Sequence, residues 1–226
     1  MESVKTIVVA GYGSWIKARK NPASEVVKSL KAKQKTICNL VLIECPVVSD
    51  SLFDLVETTL RHYKPDAWIG LGVSEQSSGI QAEMVGINWR HFSVPDASGE
   101  ALQFEPVVDG GPVAYNAMLP NQAIVEKLKE ESIPASISFF AGTHLCNQMI
   151  YTVNYLAEQL DLGTLGGFLH VPQSVENALE VKDGEKIPPM MSVEMMTEAV
   201  EISIDCILEY LDKANTKRRS YANGEC

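Results

Sequence analysis

The sequence predicts an α/β fold, a three-layer α/β/α sandwich around a mixed, mostly parallel sheet. Three observations carry that expectation. Short apolar, β-branched runs alternate along the chain with stretches of helical period. The 226 residues show no interdomain linker and no internal repeat. A hydrophobic fraction of 46% against 21% charged residues suits a single packed core. One domain over residues 1–213 is expected, followed by a flexible tail from 214 to 226.

Thr6-Ile7-Val8-Val9-Ala10 is an apolar run stopped by Gly11-Tyr12-Gly13, which reads as a first buried strand. Asn21 then caps a helix whose first position, Pro22, needs no N–H. Residues 36–45 give a second strand, Ser49 to Tyr63 a second helix, and Ala67 to Gly72 a third strand. A strand from Ile80 to Trp89 alternates less cleanly. The Gly- and Pro-rich stretch from Pro95 to Pro120 reads as a long ordered loop. An amphipathic helix follows over 121–131, then a buried strand from Ser136 to Phe140. In the next helix, about 144 to 161, Leu145, Met149, Val153, Leu156 and Leu160 recur with helical spacing. Strand Leu165 to Val171 and a helix over about 192–213 complete the fold. Beyond it Lys217-Arg218-Arg219, with little apolar content nearby, marks the tail.

Composition excludes several functions. With 19 Lys+Arg against 29 Asp+Glu the net charge is −10, so a nucleic-acid backbone would be repelled. Five cysteines at wide spacings, with no CxxC, form neither a disulfide framework nor a zinc ribbon. The opening Met1-Glu2-Ser3-Val4-Lys5 lacks the basic segment of a signal peptide, so a cytoplasmic location is expected. Ser132 to Ala157 carries no charge, yet Pro134, His144, Asn147, Gln148 and Asn154 argue against a membrane span. Gly11-Tyr12-Gly13 fails as a dinucleotide loop because its third glycine position is Ile16. Gly72-Val73-Ser74-Glu75-Gln76 lacks the closing glycine of a nucleophile elbow. No metal and no cofactor is expected.

A thiol remains. In Ala141-Gly142-Thr143-His144-Leu145-Cys146-Asn147 a strand meets a helix, and with Thr143 as N-cap, Cys146 falls in the first turn. Unpaired amides and the helix dipole there favour a thiolate and could bind an oxyanion. The competing reading is a small buried hydrophobe. A proton shuttle is available in His170, near the carboxyl end of a strand, although a structural histidine would also fit. His91 is a weaker candidate, and His144, two residues from Cys146, is expected to point away from it. Glu83, in an otherwise apolar strand, could orient the imidazole.

These segments resemble those of the pyrrolidone-carboxylate peptidases (pyroglutamyl peptidase I), cysteine peptidases that remove N-terminal pyroglutamate. The similarity is collinear from Val4 to about Leu211. It covers Ile80 to Glu83 with Val85 and Asn88, the loop Asp109-Gly110-Gly111-Pro112, the Cys146 segment and Gly167-Phe168-Leu169-His170-Val171-Pro172. The resemblance implies Cys146 as nucleophile, His170 as base and acid, and Glu83 as orienting carboxylate. It further implies peptides with pyroglutamyl N-termini as partners, and a homodimer or homotetramer. Tyr12 and Trp15 stand where the family has phenylalanines in its substrate pocket. Ser93 stands where the family has an arginine that stabilises substrate or oxyanion, and Arg90, an odd offset away, should face the other side. His144 replaces a tyrosine. Two alternatives stay open: a thiol amidase of shifted specificity, and an impaired homologue acting as a binding protein.

Overall fold

The computed structural model of the chain describes residues 4–15, 20–33, 38–182 and 186–222. In order, the elements are β1 (Thr6–Tyr12), α1 (Pro22–Lys33), β2 (Asn39–Cys45), α2 (Ser49–Tyr63), β3 (Ala67–Val73), β4 (Ile80–Glu83), β5 (Val85–Ile87) and β6 (Ala114–Asn116). They continue with α3 (Asn121–Glu130), β7 (Ala135–Ser138), α4 (Leu145–Gln159), β8 (Leu165–Val171), β9 (Gln173–Ser174), α5 (Val175–Ala178), β10 (Met190–Met191) and α6 (Val193–Ala222). Residues 36–37, the expected start of the second strand, lie outside the described residues. Asn21 caps α1 as expected, its Oδ1 accepting the Ala23 N–H at 3.0 Å.

The main sheet has the order β2-β1-β3-β8-β4-β7. Strands β2, β1, β3 and β8 are parallel, β4 is antiparallel to β8, and β7 follows β4. The sheet is therefore mixed and mostly parallel. Period-two alternation divides its side chains between two cores. Ile7, Val9, Ile69, Leu71, Leu169 and Val171 face α1, α3 and α6. Val8, Ala10, Trp68 and Phe168 face α2 and α4. Residues of even number on β8, His170 among them, thus point toward the α4 layer. No helix among the described residues is long and apolar enough to cross a membrane.

Three expectations are corrected. The strand expected from Ile80 to Trp89 is two strands: β4 stays in the main sheet, whereas β5 leaves it to pair with β6. Close packing on α4 forces the departure. A Cβ on Gly86 would lie 2.7 Å from the Tyr151 amide nitrogen. Asn147 also clamps the segment, accepting the Ile87 N–H at 2.8 Å and donating to the Ile87 and Trp89 carbonyls at 2.9 Å each. The strand expected through Phe140 stops at Ser138, and Phe139 and Phe140 are 73% and 64% exposed because β7 is the sheet edge. The last helix runs on to Ala222, past the expected end near 213.

The long loop is ordered by specific bonds. Asn88 donates to the Val108 carbonyl at 2.8 Å and accepts the Val108 N–H at 2.9 Å. Tyr151 donates its hydroxyl to the Pro112 carbonyl at 2.7 Å. A Cβ on Gly111 would meet that hydroxyl at 2.5 Å, so the Gly-Pro step lies flat against α4.

Candidate active site

Cys146 sits in the first turn of α4, but the cap differs from the expected one. His144 is the N-cap, with extended φ −95° and ψ −161°, and its side chain bonds no helix amide. Thr143 is engaged elsewhere: its hydroxyl donates to the His91 carbonyl at 2.7 Å, and the His91 N–H donates to the Thr143 carbonyl at 3.1 Å. This reciprocal pair ends the turn one residue later. The first helical bond is from Gln148 N–H to the His144 carbonyl at 3.1 Å, so the amides of Leu145, Cys146 and Asn147 have no partner within the helix.

Strand β3 makes room for the thiol. Its even-numbered face reads Trp68, Gly70, Gly72, and a Cβ on Gly72 would lie 2.9 Å from Cys146 Sγ and 2.8 Å from the Phe168 ring. At Gly70 a Cβ would collide with Phe168 and with Met149 Sδ, at 2.3 and 2.7 Å. The two missing side chains let α4 and the β8 side chains close over the strand. His170 packs edge-on against Phe168, with ring centroids 5.0 Å apart.

The carboxylate reaches His170 across an antiparallel pair. Glu83 is in register with Phe168, which places His170 on the diagonal of the same face, within reach of a long side chain. His170 Nδ1–H donates to Glu83 Oε1 at 2.7 Å, with Glu83 1% and His170 7% exposed. That bond fixes the tautomer and leaves Nε2 for Cys146, which interacts electrostatically with the imidazole. Burial alone would lower the His170 pKa. The neighbouring Cys146 and then Glu83 more than reverse this, pushing it up to about 10. The other described cysteines have no such partner. Burial drives Cys45 up to about 12 and also raises Cys38 and Cys206.

Cys146 and His170 open onto a cavity of about 350 Å³ that Tyr12, Trp15 and His144 also line. Tyr12 is buried and donates its hydroxyl to the Leu145 carbonyl at 2.7 Å, presenting a ring rather than a free hydroxyl. Burial, Cys146 and Cys45 raise its pKa well above the ordinary value, so it stays neutral. His144, expected to point away, lines the same cavity; its ring lies tilted between Phe92 and Trp15, with centroids 4.1 and 5.7 Å away. Its Nε2–H donates to the Val94 carbonyl at 3.1 Å, and burial holds its pKa below the ordinary value.

The structure therefore brings together Cys146, His170, Glu83, Tyr12 and Trp15. It does not bring Ser93, which is exposed and does not line this cavity. Arg90 does not substitute for it, being held by the Pro106 carbonyl at 3.0 Å and by Glu105 and Ser49 at 3.4 Å each. His91 supports the Thr143 turn and lies tilted against Phe104, with ring centroids 4.3 Å apart. Lys20, Gln173 and Asn177 on the cavity wall escaped the sequence reading, since nothing in their spacing ties them to Cys146. The alternating glycines of β3 were the readable signal that a side chain lies over that strand.

Comparison with known proteins gives a consistent result. A family model described as pyroglutamyl peptidase matches residues 5–210. The pyrrolidone-carboxylate peptidase of Coprothermobacter proteolyticus is 32% identical over 209 residues, covering 92% of this chain and 99% of that protein. That of Pyrococcus furiosus is 33% identical over 208 residues, covering 91% and 99%. A crystal structure of the Pyrococcus furiosus pyrrolidone carboxyl peptidase matches with a TM-score of 0.87 at 32% identity, over 91% of this chain and 99% of that one.

Proposed function

This chain belongs to the pyroglutamyl peptidase family of cysteine exopeptidases, and from that premise we propose that it removes N-terminal pyroglutamate from peptides through a Cys146–His170–Glu83 triad and an acyl-enzyme. The observation that carries the mechanism is buried Glu83 hydrogen-bonded to His170, whose imidazole is coupled in turn to a cysteine at a helix N-terminus.

The Cys146 thiolate adds to the carbonyl carbon joining pyroglutamate to the next residue. The oxyanion is received by amides of the first α4 turn, which the cap side chain leaves free. The C–N bond then breaks as protonated His170 delivers its proton to the departing amine, leaving a thioester. His170, now neutral, takes a proton from water; the hydroxide adds to the thioester, and pyroglutamate leaves as the C–S bond breaks. Glu83 keeps the Nδ1 proton in place throughout. Tyr12 and Trp15 supply apolar plates for a flat, neutral lactam, and no step calls on a metal or cofactor. A cytoplasmic homodimer or homotetramer completes the reading.

Release of fluorophore from a pyroglutamyl coumarin amide by purified protein tests it. Wild type is expected to turn over and Cys146→Ala to lose about 10³-fold or more. No turnover by wild type, or full activity in the variant, overturns the assignment. A thiol amidase of shifted specificity is the second reading, favoured by the Trp15–His144–Phe92 ring cluster at the cavity wall. A panel of amides with other N-terminal blocking groups separates the two.

A further inference from the structure

His170 stands between two cavities. One is the cavity beside Cys146 described above. The other, of about 430 Å³, is lined by Ser74, Ser77, Gln81, Glu83, Ser138 and Phe140 among others. Val73, Ala141 and His170 line both. A bond broken at Cys146 has an acyl side and an amine side, and the departing amine takes its proton from His170. The amine must therefore leave from the His170 side of the thiol. With Tyr12 and Trp15 flanking the acyl ring in the first cavity, the second lies where the rest of the peptide departs.

We propose that this second cavity is the subsite for the residue that follows the cleaved bond, accepting a neutral hydrogen-bonding side chain and rejecting an acidic one. The inference rests on the reading of Cys146 as nucleophile and adds the leaving-side specificity that this reading leaves open.

The lining supplies the selectivity. Gln81 is half-buried on β4, in register with His170, and its carboxamide makes no hydrogen bond to another described residue. Ser77 donates its hydroxyl to the Gly79 carbonyl at 2.6 Å, and the Ser138 hydroxyl accepts the Phe140 N–H at 3.4 Å, so each keeps further hydrogen-bonding capacity. These groups complement an amide or hydroxyl. Among the described residues no Lys or Arg lines the cavity, whereas the Glu83 carboxylate is part of its wall. His170 and Glu83 already neutralise each other, so a second carboxylate would be brought beside Glu83 with no unpaired cation to receive it. Phe140, 64% exposed, gives the rim an apolar edge for the chain beyond.

The test compares kcat/KM for pyroglutamyl-Gln-Gly-amide and pyroglutamyl-Glu-Gly-amide in wild type, Gln81→Leu and Ser138→Val. Wild type is expected to favour the Gln peptide at least tenfold, and each variant to shrink that ratio at least threefold. Equal use of both peptides, or a ratio untouched in both variants, overturns the subsite. A second arm reads the subsite without hydrolysis: NMR titration of wild type and Gln81→Leu with Gln-Gly-amide and Glu-Gly-amide alone. Tighter binding of the Gln peptide, weakened in Gln81→Leu, supports the proposal even if no pyroglutamyl substrate is cleaved. Indifferent binding overturns it even if the coumarin amide is.

Discussion

At the scale of single residues, the proposed chemistry depends on how one imidazole is held. His170 keeps its proton because Cys146 and Glu83 outweigh the penalty of burial, which leaves its pKa near 10 against an ordinary 6.5. A raised folded value means that the stabilisation contributed by the imidazolium is complete below about pH 6.5 and is lost as pH rises toward about 10. Activity should fall over the alkaline part of that window, as the proton needed by the departing amine disappears. Glu83→Gln removes one of the two groups that raise the value, so the alkaline limb of the kcat/KM profile should move to lower pH. The same variant should lose about 10²- to 10⁴-fold in kcat, because an amide no longer fixes the tautomer. An unmoved limb with near-normal kcat would contradict this role. A helix terminus, a strand end and a lone carboxylate in an apolar run marked Cys146, His170 and Glu83 as candidates in the sequence, the resemblance implied their roles, and the fold brings the three side chains together. His144 was misjudged from the sequence; its side chain turns into the cavity because the helix begins one residue later than the Thr143 cap implied.

At the scale of elements, glycines in β3 decide whether the proposed nucleophile fits. Gly72→Ala would put a methyl 2.9 Å from Cys146 Sγ and 2.8 Å from the Phe168 ring. Overpacking of this kind costs about 1–3 kcal/mol, and here the displaced atom is the proposed nucleophile. The variant is expected to lose at least tenfold in kcat as well as stability, measured by steady-state kinetics and urea unfolding. Unchanged kcat would mean that Sγ is free to shift. The alternation Gly70, Leu71, Gly72 was visible beforehand; which atoms fill the space was not, since Phe168 and Met149 arrive from distant segments. The break between β4 and β5 was equally hidden. It results from Asn147 and Gly86 binding the chain to α4, and these are long-range contacts that local alternation does not encode.

At the scale of the molecule, the two cores have different duties. The one under α1, α3 and α6 braces the sheet from behind, whereas the one under α2 and α4 also carries Cys146, Phe168 and the face from which His170 projects. Ile124→Ala and Met149→Ala remove fully buried side chains of the two cores, and each should cost about 2–5 kcal/mol. Thermal melts should register both losses. Only Met149→Ala, which packs beside Gly70 and Phe168, should also reduce kcat at a temperature where the protein is folded; equal kcat in both variants would show that the cores are interchangeable. The layer order was legible because strands and helices alternate regularly, but the inversion of β4 and β7 was not, as strand direction leaves no mark on hydrophobic pattern. That inversion has a kinetic consequence. Glu83 and His170 are 87 residues apart and meet only when β4 docks antiparallel on β8, after the intervening chain has been brought round. During refolding from denaturant, catalytic competence should therefore return behind helical circular dichroism, with the enzyme passing through a shaped but inert stage before it can cut anything.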